Sequence, residues 1–322
     1  MTIISERKVP RKPFSLSLSP IILYEEERYV NQKNALTPWM FIGPAVLLLI
    51  AFSFIPILIS LLISFTDMNL IGLRNWDMVD TVGLENFIAL FQDPLFHTAI
   101  FNTLVYVSIG VPLVIICSLG VALLLNYMTS KLFTFFRVLF YVPSITNIVA
   151  IAVVWGFLYN MDVGLFNFIL NSLGLGKVPW LEHPFIAKIS LIILAVWKGI
   201  GINMLIYLAA LQSIPKSFYE AADMDGANKF QKLRYITIPS LSYATFFVTV
   251  TTLIGWLQFF EEPFVMTGGG PLDGTMSMAL FIYERGFQYN EFGYAAAASL
   301  ILFVFIIVAT LIQFTFNKSK EN

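Results

Sequence analysis

The sequence predicts an all-α integral membrane protein with six transmembrane helices. Of its 322 residues, 58% are hydrophobic and only 12% are charged, and the mean hydropathy is +0.79. A chain of this length with so few charged residues has too little polar surface for a soluble globule. Six apolar runs are each long enough to cross about 30 Å of hydrocarbon, because a helix rises about 1.5 Å per residue.

The six apolar runs set the predicted domain boundaries. They cover residues 39–65, 98–126, 135–159, 186–211, 241–260 and 293–316. We therefore expect a tail over residues 1–36, a six-helix domain over 37–316 and a short tail over 317–322. Four prolines fall inside or near the ends of the first three runs: Pro44, Pro56, Pro112 and Pro143. We expect kinks there, because proline removes a backbone donor and neighbouring helices can satisfy the freed carbonyl.

The basic residues predict the orientation. Only Arg74, Lys177 and Arg285 fall on one side of the predicted membrane. The other side holds Arg7, Lys8, Arg11, Lys12, Arg28, Lys33, Lys131, Arg137, Lys216, Lys229, Lys232, Arg234, Lys318 and Lys320. Lysine and arginine accumulate in cytoplasmic connections. Both termini are therefore predicted to be cytoplasmic.

Charge gathers in the segment from Pro215 to Pro239, which lies between the fourth and fifth runs. Pro215 suits a first helical position, because its missing N–H would be unpaired there anyway. Glu220 and Asp223 lie three residues apart and share one helical face. Gly226 can take the left-handed conformation that closes a helix, and Pro239 can open the next one. The segment is predicted to form a helix, a glycine turn and a second short helix.

The same segment resembles a known signature. The matching residues are Glu220, Ala221, Ala222, Gly226, Ile236 and Pro239. Their spacing is similar to the EAA pattern of permease subunits of bacterial ATP-binding-cassette importers, and Asp225-Gly226-Ala227 fits the D-G-A of that family. Ile238 stands where the pattern has leucine, which is a small apolar change. The alternative interpretation is a short amphipathic connector between two helices.

Other stretches extend the resemblance over residues 83–316. They lie at residues 83–104, 140–155, 197–215, 267–271 and 294–299. Glu85-Asn86-Phe87 and the TGGGP turn at 267–271 are typical of the carbohydrate branch of the family. Three successive glycines before a proline predict a flexible turn. A phosphate-binding loop is not indicated, because no Gly-Lys-Ser/Thr follows the glycines.

The resemblance implies the type I importer permease fold and a transport function in the bacterial inner membrane. It implies a second homologous permease chain, two copies of an ABC ATPase, an external solute-binding protein and a carbohydrate substrate, with no role for nucleic acid. ATP and Mg would bind to the ATPase and no cofactor to this chain. Residues 215–239, the coupling segment, would receive the motion of the ATPase. Its implied contact residues are Glu220, Ala221, Ala222, Asp223, Asp225, Gly226, Ile236 and Pro239.

A substrate pathway is predicted along the fifth run. Thr252, Trp256 and Phe259 follow i, i+4, i+7 spacing and share one helical face. These positions resemble sugar-contacting ones in maltose-transporting members of the family, although Trp256 and Phe259 replace polar groups there. The face of a pyranose ring can pack on an aromatic ring. An aromatic stripe that only packs against other helices is the alternative.

Few ionisable groups fall within the predicted spans. Lys198 lies inside the fourth run, where it could line a wet cavity or pair with a carboxylate of another chain. Glu261 and Glu262 lie at the outer end of the fifth run and are candidates for substrate contact. His97 and His183 lack ligand partners at suitable spacing, so no metal site is predicted.

Other classes of function find little support in the sequence. The chain carries no hydrolase, metalloprotease or Walker motif, and its single cysteine, Cys117, lies in an apolar run. An intramembrane enzyme would need convergent titratable groups within its spans. A self-contained secondary carrier is the remaining rival, and such carriers are built from internal repeats that we do not find here.

Overall fold

The computed structural model describes residues 36–128 and 130–318. Their secondary structure is helical, apart from one isolated β-bridge between Thr66 and Thr81. Within these residues, five helices are long and apolar enough to cross a membrane, and a bent pair makes a sixth span if it is counted as one. The all-α membrane fold is therefore confirmed. The predicted N-terminal tail and the last residues of the C-terminal tail lie outside the described residues.

The described part of the chain forms sixteen α-helices, numbered here in chain order. The first eight are α1 (Leu36–Leu49), α2 (Ile55–Ile63), α3 (Leu70–Arg74), α4 (Glu85–Gln92), α5 (Pro94–Asn126), α6 (Ser130–Ile145), α7 (Ile148–Leu158) and α8 (Leu165–Ser172). The others are α9 (Pro184–Ser213), α10 (Lys216–Met224), α11 (Lys229–Lys232), α12 (Ile238–Ser240), α13 (Ser242–Leu257), α14 (Glu261–Met266), α15 (Met278–Tyr283) and α16 (Phe292–Lys318). The chain divides into two compact units, one ending at Ile59 and the other beginning at Ser60.

A wide π-helical turn, Ile50–Phe54, joins α1 to α2 in the first span. The turn ends two residues before Pro56, and the N–H of Ile55 bonds to the carbonyl of Ile50. Proline has no N–H, and its ring crowds the carbonyl four residues earlier. A π turn relieves both problems without breaking the helix. Pro44 and Pro112 lie within continuous helices.

The run over residues 135–159 bends sharply near Pro143, where the sequence predicts a kink. The structure divides this run into α6 and α7, which meet at 101°. Pro143 lies near the end of α6, and the side chain of Asn147 caps α7 by accepting from the N–H of Val149 at 2.8 Å. An Asn N-cap begins a new helix because its oxygen satisfies an otherwise unpaired donor.

Close packing against α9 holds the bend in place. The Ser144 hydroxyl donates to the carbonyl of Lys198 at 2.5 Å. A Cβ added at Gly201 would lie 2.4 Å from the carbonyl oxygen of Phe140. Only glycine therefore lets the end of α6 lie directly on the backbone of α9.

The long helices α5 and α9 form the centre of the larger unit, and α13 packs beside them. Buried side chains that join the three helices are Tyr106 and Val114 of α5, Leu191 and Ile192 of α9, and Trp256 of α13. A second buried cluster near the end of α9 includes Leu125, Tyr207 and Leu241. This arrangement places the coupling segment directly at the ends of α9 and α13.

The N-terminal ends of α5 and α9 are set by local capping. Asp93 caps α5 by accepting from the N–H of Leu95 at 2.8 Å, so this helix begins before the predicted residue 98. His183 caps α9 in the same way, with its Nδ1 atom 3.3 Å from the N–H of Phe185. This capping gives His183 a structural role.

Polar side chains of α5 hold the backbone that follows the TGGGP turn. The side-chain amide of Asn102 donates to the carbonyls of Asp273 at 3.0 Å and Met276 at 2.8 Å. The Tyr106 hydroxyl donates to the carbonyl of Thr275 at 3.0 Å. Buried polar groups of α5 therefore pair with the carbonyls of residues 273–276, and the spacing of turn residues could not indicate these contacts.

Candidate functional site

The coupling segment begins with the nine-residue helix α10. Pro215 is the N-cap residue, with an extended backbone at ψ 131°. The prediction that it is the first helical residue is therefore wrong. The predicted left-handed glycine is confirmed, since Gly226 has φ +75°. The N–H of Gly226 bonds to Asp223, and the N–H of Ala227 bonds to Ala222 at 2.9 Å. These two bonds form a Schellman motif, which ends a helix sharply when glycine takes the left-handed position.

A capping box begins the second half of the segment. The Asn228 side chain accepts from the N–H of Gln231 at 2.9 Å, and the Gln231 side chain accepts from the N–H of Asn228 at 2.8 Å. After α11, a π turn over Leu233–Thr237 leads into α12. Pro239 lies within α12 and does not open the next span, which begins at Ser242. The π turn again ends two residues before a proline, as it does at Pro56.

Side chains tie the two halves of the coupling segment together. Asp223 of α10 forms an ion pair with Lys232 of α11. The hydroxyl groups of Tyr219 and Thr237 are 2.9 Å apart and share a hydrogen bond. Glu220 is exposed and forms no ion pair within the described part of the chain. The segment is thus a braced unit, although an exposed ion pair alone stabilises it by less than about 1 kcal/mol.

The outward face of the coupling segment carries large apolar side chains. Phe218 and Met224 of α10 are 54% and 89% exposed, and Phe230 and Tyr235 are also exposed. Exposed apolar groups rimmed by charge mark a surface suited to binding another protein. Ala221 and Asp225 are exposed beside them on α10.

A cavity of about 700 Å³ lies among α5, α9, α13 and α14. Thr252, Trp256 and Phe259 all line it, so the structure brings the three predicted pathway residues to one cavity. Each is at least nine-tenths buried. Polar groups from Asn203 and Gln258 complete the lining near them. The cavity therefore offers an aromatic wall with a few polar groups, which is the usual make-up of a small-molecule site.

Trp256 also has a packing role. Its ring stacks on Phe259, with centroids 5.1 Å apart and planes inclined by 6°. A Cβ added at Gly110 would lie 2.0 Å from the Trp256 ring, so the indole occupies the space above that glycine. Trp256 thus packs on α5 and also borders the cavity. Its position is compatible with both interpretations of the aromatic stripe, namely packing and sugar contact. The hydroxyl of Thr252 is buried without a hydrogen-bond partner in the described residues.

An ion cluster lies on the cavity wall. The ammonium group of Lys198 is 2.9 Å from Glu261 and 3.9 Å from Glu262. Glu262 is buried and Glu261 is exposed. Lys198 thus lines the cavity and pairs with carboxylates of its own chain. The sequence singled out all three residues but could not pair them, because 63 positions separate Lys198 from Glu261.

A second network, which sequence reasoning missed, lies near the start of α5 and α16. Arg285 donates to Asp93 at 3.0 Å, and the Tyr294 hydroxyl donates to the same carboxylate at 3.1 Å. Burial raises the pKa of Glu284, the neighbouring Asp273 raises it further, and Arg285 opposes them. No sequence signal links residues so far apart. The network fixes the loop after α15 against the beginning of α5.

Within the described residues, no group of three His, Cys, Asp or Glu is placed to hold a metal ion. His97 is exposed, and its Nε2 atom lies 2.8 Å from the carbonyl oxygen of Phe91. The polar part of the cavity lining consists of amide, hydroxyl and ion-paired groups.

Comparison with known proteins identifies the family. The profile described as "Binding-protein-dependent transport system inner membrane component" matches residues 98–322. The lactose transport system permease protein LacF of Rhizobium radiobacter is 34% identical over 289 residues, which cover 88% of this chain and 94% of LacF. The arabinooligosaccharides transport system permease protein AraP of Bacillus subtilis (strain 168) is also 34% identical, with 88% of each chain covered.

A solved structure shares the fold. A chain of a bacterial alginate ABC transporter, in complex with an alginate pentasaccharide-bound periplasmic protein, is 25% identical and superimposes with a TM-score of 0.76. The match covers 88% of this chain and 94% of that chain. The helical architecture, the sequence relatives and the family profile agree. The chain belongs to the family of binding-protein-dependent transport system inner membrane components.

Proposed function

We propose that the chain is the transmembrane permease subunit of an ABC importer for a carbohydrate, either an oligosaccharide or a related polyol or sugar derivative. The observation that carries this proposal is the braced coupling segment between two spans, with the Schellman turn at Gly226. LacF and AraP are named as permeases for lactose and for arabinooligosaccharides, which supports a sugar as the substrate. The aromatic wall of the cavity suits a sugar, because C–H faces of a pyranose pack on aromatic rings.

The proposed partners are a second homologous permease chain, two copies of an ABC ATPase and an external solute-binding protein. The related alginate transporter was solved with its periplasmic protein, which supports a binding protein here. ATP and Mg would bind to the ATPase. Closure of the ATPase would displace α10, and the short connection from α9 to α10 at Ile214 and Pro215 leaves little slack to absorb that motion. The chain would then alternate between inward- and outward-facing states.

The proposed contacts to the ATPase follow the predicted pattern. They are Glu220, Ala221, Ala222, Asp223, Asp225, Gly226, Ile236 and Pro239. The exposed Phe218 and Met224 add an apolar anchor on the same helix. Gly226 would act through the position of α10, since its role is to close that helix.

Both termini and the coupling segment are proposed to be cytoplasmic, as the basic residues predict. We expect cysteine at position 288 to react with an impermeant thiol reagent in intact cells, in a Cys117→Ser background. Cysteine at position 131 should react only after the membrane is opened with detergent. Gln288 and Lys131 are both exposed and lie outside the proposed ATPase contacts, so access across the membrane decides the result. Equal labelling of Lys131→Cys and Gln288→Cys in intact cells would refute the orientation.

Thr252, Trp256 and Phe259 are proposed to contact the sugar. Thr252→Val tests this better than Trp256→Ala, because removing the indole would also leave a void above Gly110. Valine keeps the shape of threonine and removes only its unpaired hydroxyl. We expect the half-saturating sugar concentration to rise about fivefold with assembly unchanged, since one hydrogen bond contributes about 1 kcal/mol.

Thr249→Val is the matched control on the same helix. The Thr249 hydroxyl already donates to the carbonyl of Thr245 at 2.6 Å, and the residue does not line the cavity. Unchanged sugar dependence in Thr252→Val would leave Thr252 as a packing residue.

A further inference from the structure

A second cavity, of about 500 Å³, lies behind the coupling segment. Its walls are the ends of α5 and α9 together with residues of α10 and α11, of which Lys216 and Lys229 are exposed. Three lysines line it: Lys216, Lys229 and Lys232. No glutamate or aspartate is among the lining residues. The proposed transport path uses none of these groups.

The positive charge of this cavity is only partly balanced. Asp223 pairs with Lys232 from outside the cavity. Lys216 and Lys229 form no ion pair within the described part of the chain. Lysines held near one another repel, and the repulsion is relieved when an anion binds between them. The cavity therefore carries uncompensated positive charge from two lysines.

Neutral donors surround the lysines. The side-chain amides of Asn126 and Gln212, at the ends of α5 and α9, line the cavity and make no hydrogen bond within the described residues. The bonded hydroxyls of Tyr219 and Thr237 lie on another wall. An ammonium group acts as a point charge toward phosphate, and amide N–H groups can satisfy the remaining phosphate oxygens. A carboxylate offers fewer oxygens to a site with this many donors.

We propose that this cavity binds a phosphate-bearing anion, either the headgroup of an anionic phospholipid or a soluble phosphate compound. Basic pockets between the ends of membrane helices are suited to such headgroups. Leu123 and Leu211 supply an apolar wall next to the lysines, which would accommodate the beginning of an acyl chain. The anion would bridge the ends of α5 and α9 to α10 and α11, and so stabilise the position of the coupling segment.

Lysine reactivity tests the proposal on the assembled transporter without any substitution. The complex is placed in nanodiscs of phosphatidylcholine, with or without phosphatidylglycerol, and treated with an amine-reactive acetylating ester. Inorganic phosphate or pyrophosphate is added to the phosphatidylcholine sample. Modification is then measured at each lysine by mass spectrometry. Lys131 and Lys177, which lie outside the cavity, are internal standards.

Acetylation of Lys216 and Lys229 is expected to slow at least about threefold when the anion is present at twice its dissociation constant. Lys131 and Lys177 should be unaffected. Protection by phosphatidylglycerol alone identifies a lipid headgroup, and protection by phosphate or pyrophosphate identifies a soluble ligand. In Lys216→Gln/Lys229→Gln, protection of Lys232 should be lost, whereas Lys131→Gln should retain it.

Two results would overturn the proposal. One is unchanged acetylation of Lys216 and Lys229 under every condition. The other is slow acetylation already in phosphatidylcholine without phosphate that becomes fast when the ATPase subunits are removed, because the cavity would then hold an acidic side chain of the partner. Neither result depends on transport, so the proposed permease function could stand while the anion site failed.

Discussion

Gly226→Val is expected to reduce ATP-driven transport at least about tenfold while the chain still inserts and assembles. Gly226 has φ +75° at the left-handed position that closes α10. A β-branched residue is disfavoured there by about 1–2 kcal/mol, and a shift of about 1.4 kcal/mol corresponds to a factor of ten. The bonds from Gly226 to Asp223 and from Ala227 to Ala222 would be lost or displaced. Uptake and substrate-stimulated ATPase activity of the purified complex should fall together.

Gly174→Val is the matched control for backbone strain. Gly174 also has φ +75°, and neither glycine has a neighbour within 4 Å of an added Cβ. Gly174 lies between α8 and α9, away from the coupling segment. We expect Gly174→Val to retain transport. Equal loss in both variants would mean that strain alone, and not the position of α10, causes the defect.

Glu220→Lys tests the same surface without backbone strain. Glu220 is exposed and makes no ion pair within the described part of the chain, so the substitution should leave the fold intact. Reversal of a charge at a docking surface repels a complementary partner. Transport and stimulated ATPase activity should again fall together. Near-normal transport in both Glu220→Lys and Gly226→Val would refute the coupling role.

Lys198→Met is expected to destabilise the complex and abolish most transport. The substitution removes the counter-charge of the buried Glu262 and of Glu261. Breaking a fully buried pair from one side costs about 3–5 kcal/mol, and we expect about 2 kcal/mol here because Glu261 is exposed. A lower melting temperature of the purified complex measures this loss. Removing the uncompensated charge as well, in Lys198→Met/Glu262→Gln, should recover much of the stability.

Lys188→Met provides the control within the same helix. Lys188 has no carboxylate partner in the described residues and lies 5.3 Å from the centre of the Phe101 ring. Its loss should lower the melting temperature much less than the loss of Lys198. Lys198→Met with normal stability, or a double variant no more stable than the single one, would show that the ion cluster is not a stabilising unit.

The helices and the coupling segment could be predicted because their signals are local. Apolar runs of membrane length predict five of the spans, and the predicted ends lie within a few residues of the observed ends. Gly226 was predicted to be left-handed, since glycine closes a helix without a Cβ clash. The function proposed for the segment comes from the family pattern. The two errors within the segment also concern local structure. Pro215 is the N-cap residue that precedes α10, and Pro239 follows a π turn.

The features that the sequence could not predict depend on contacts between distant residues. Pro143 predicts a kink, but a bend of 101° between α6 and α7 also needs Gly201 of α9 to admit the backbone of Phe140. The residues after the TGGGP turn are held in place because Asn102 of α5 donates to the carbonyls of Asp273 and Met276. Lys198 meets Glu261 only after α9 and α14 have packed together. The periodicity or turn propensity of a single segment cannot predict these contacts.

Solute uptake by purified components most directly tests whether this chain is driven by ATP hydrolysed on another polypeptide. Liposomes would contain the chain alone, the chain with its permease partner, or the full complex with the ATPase and the solute-binding protein. The labelled solute is the sugar that co-purifies with the binding protein. We predict uptake only with the full complex and ATP. Sugar movement by the chain alone, driven by an ion or solute gradient without ATP, would contradict this and identify a secondary carrier.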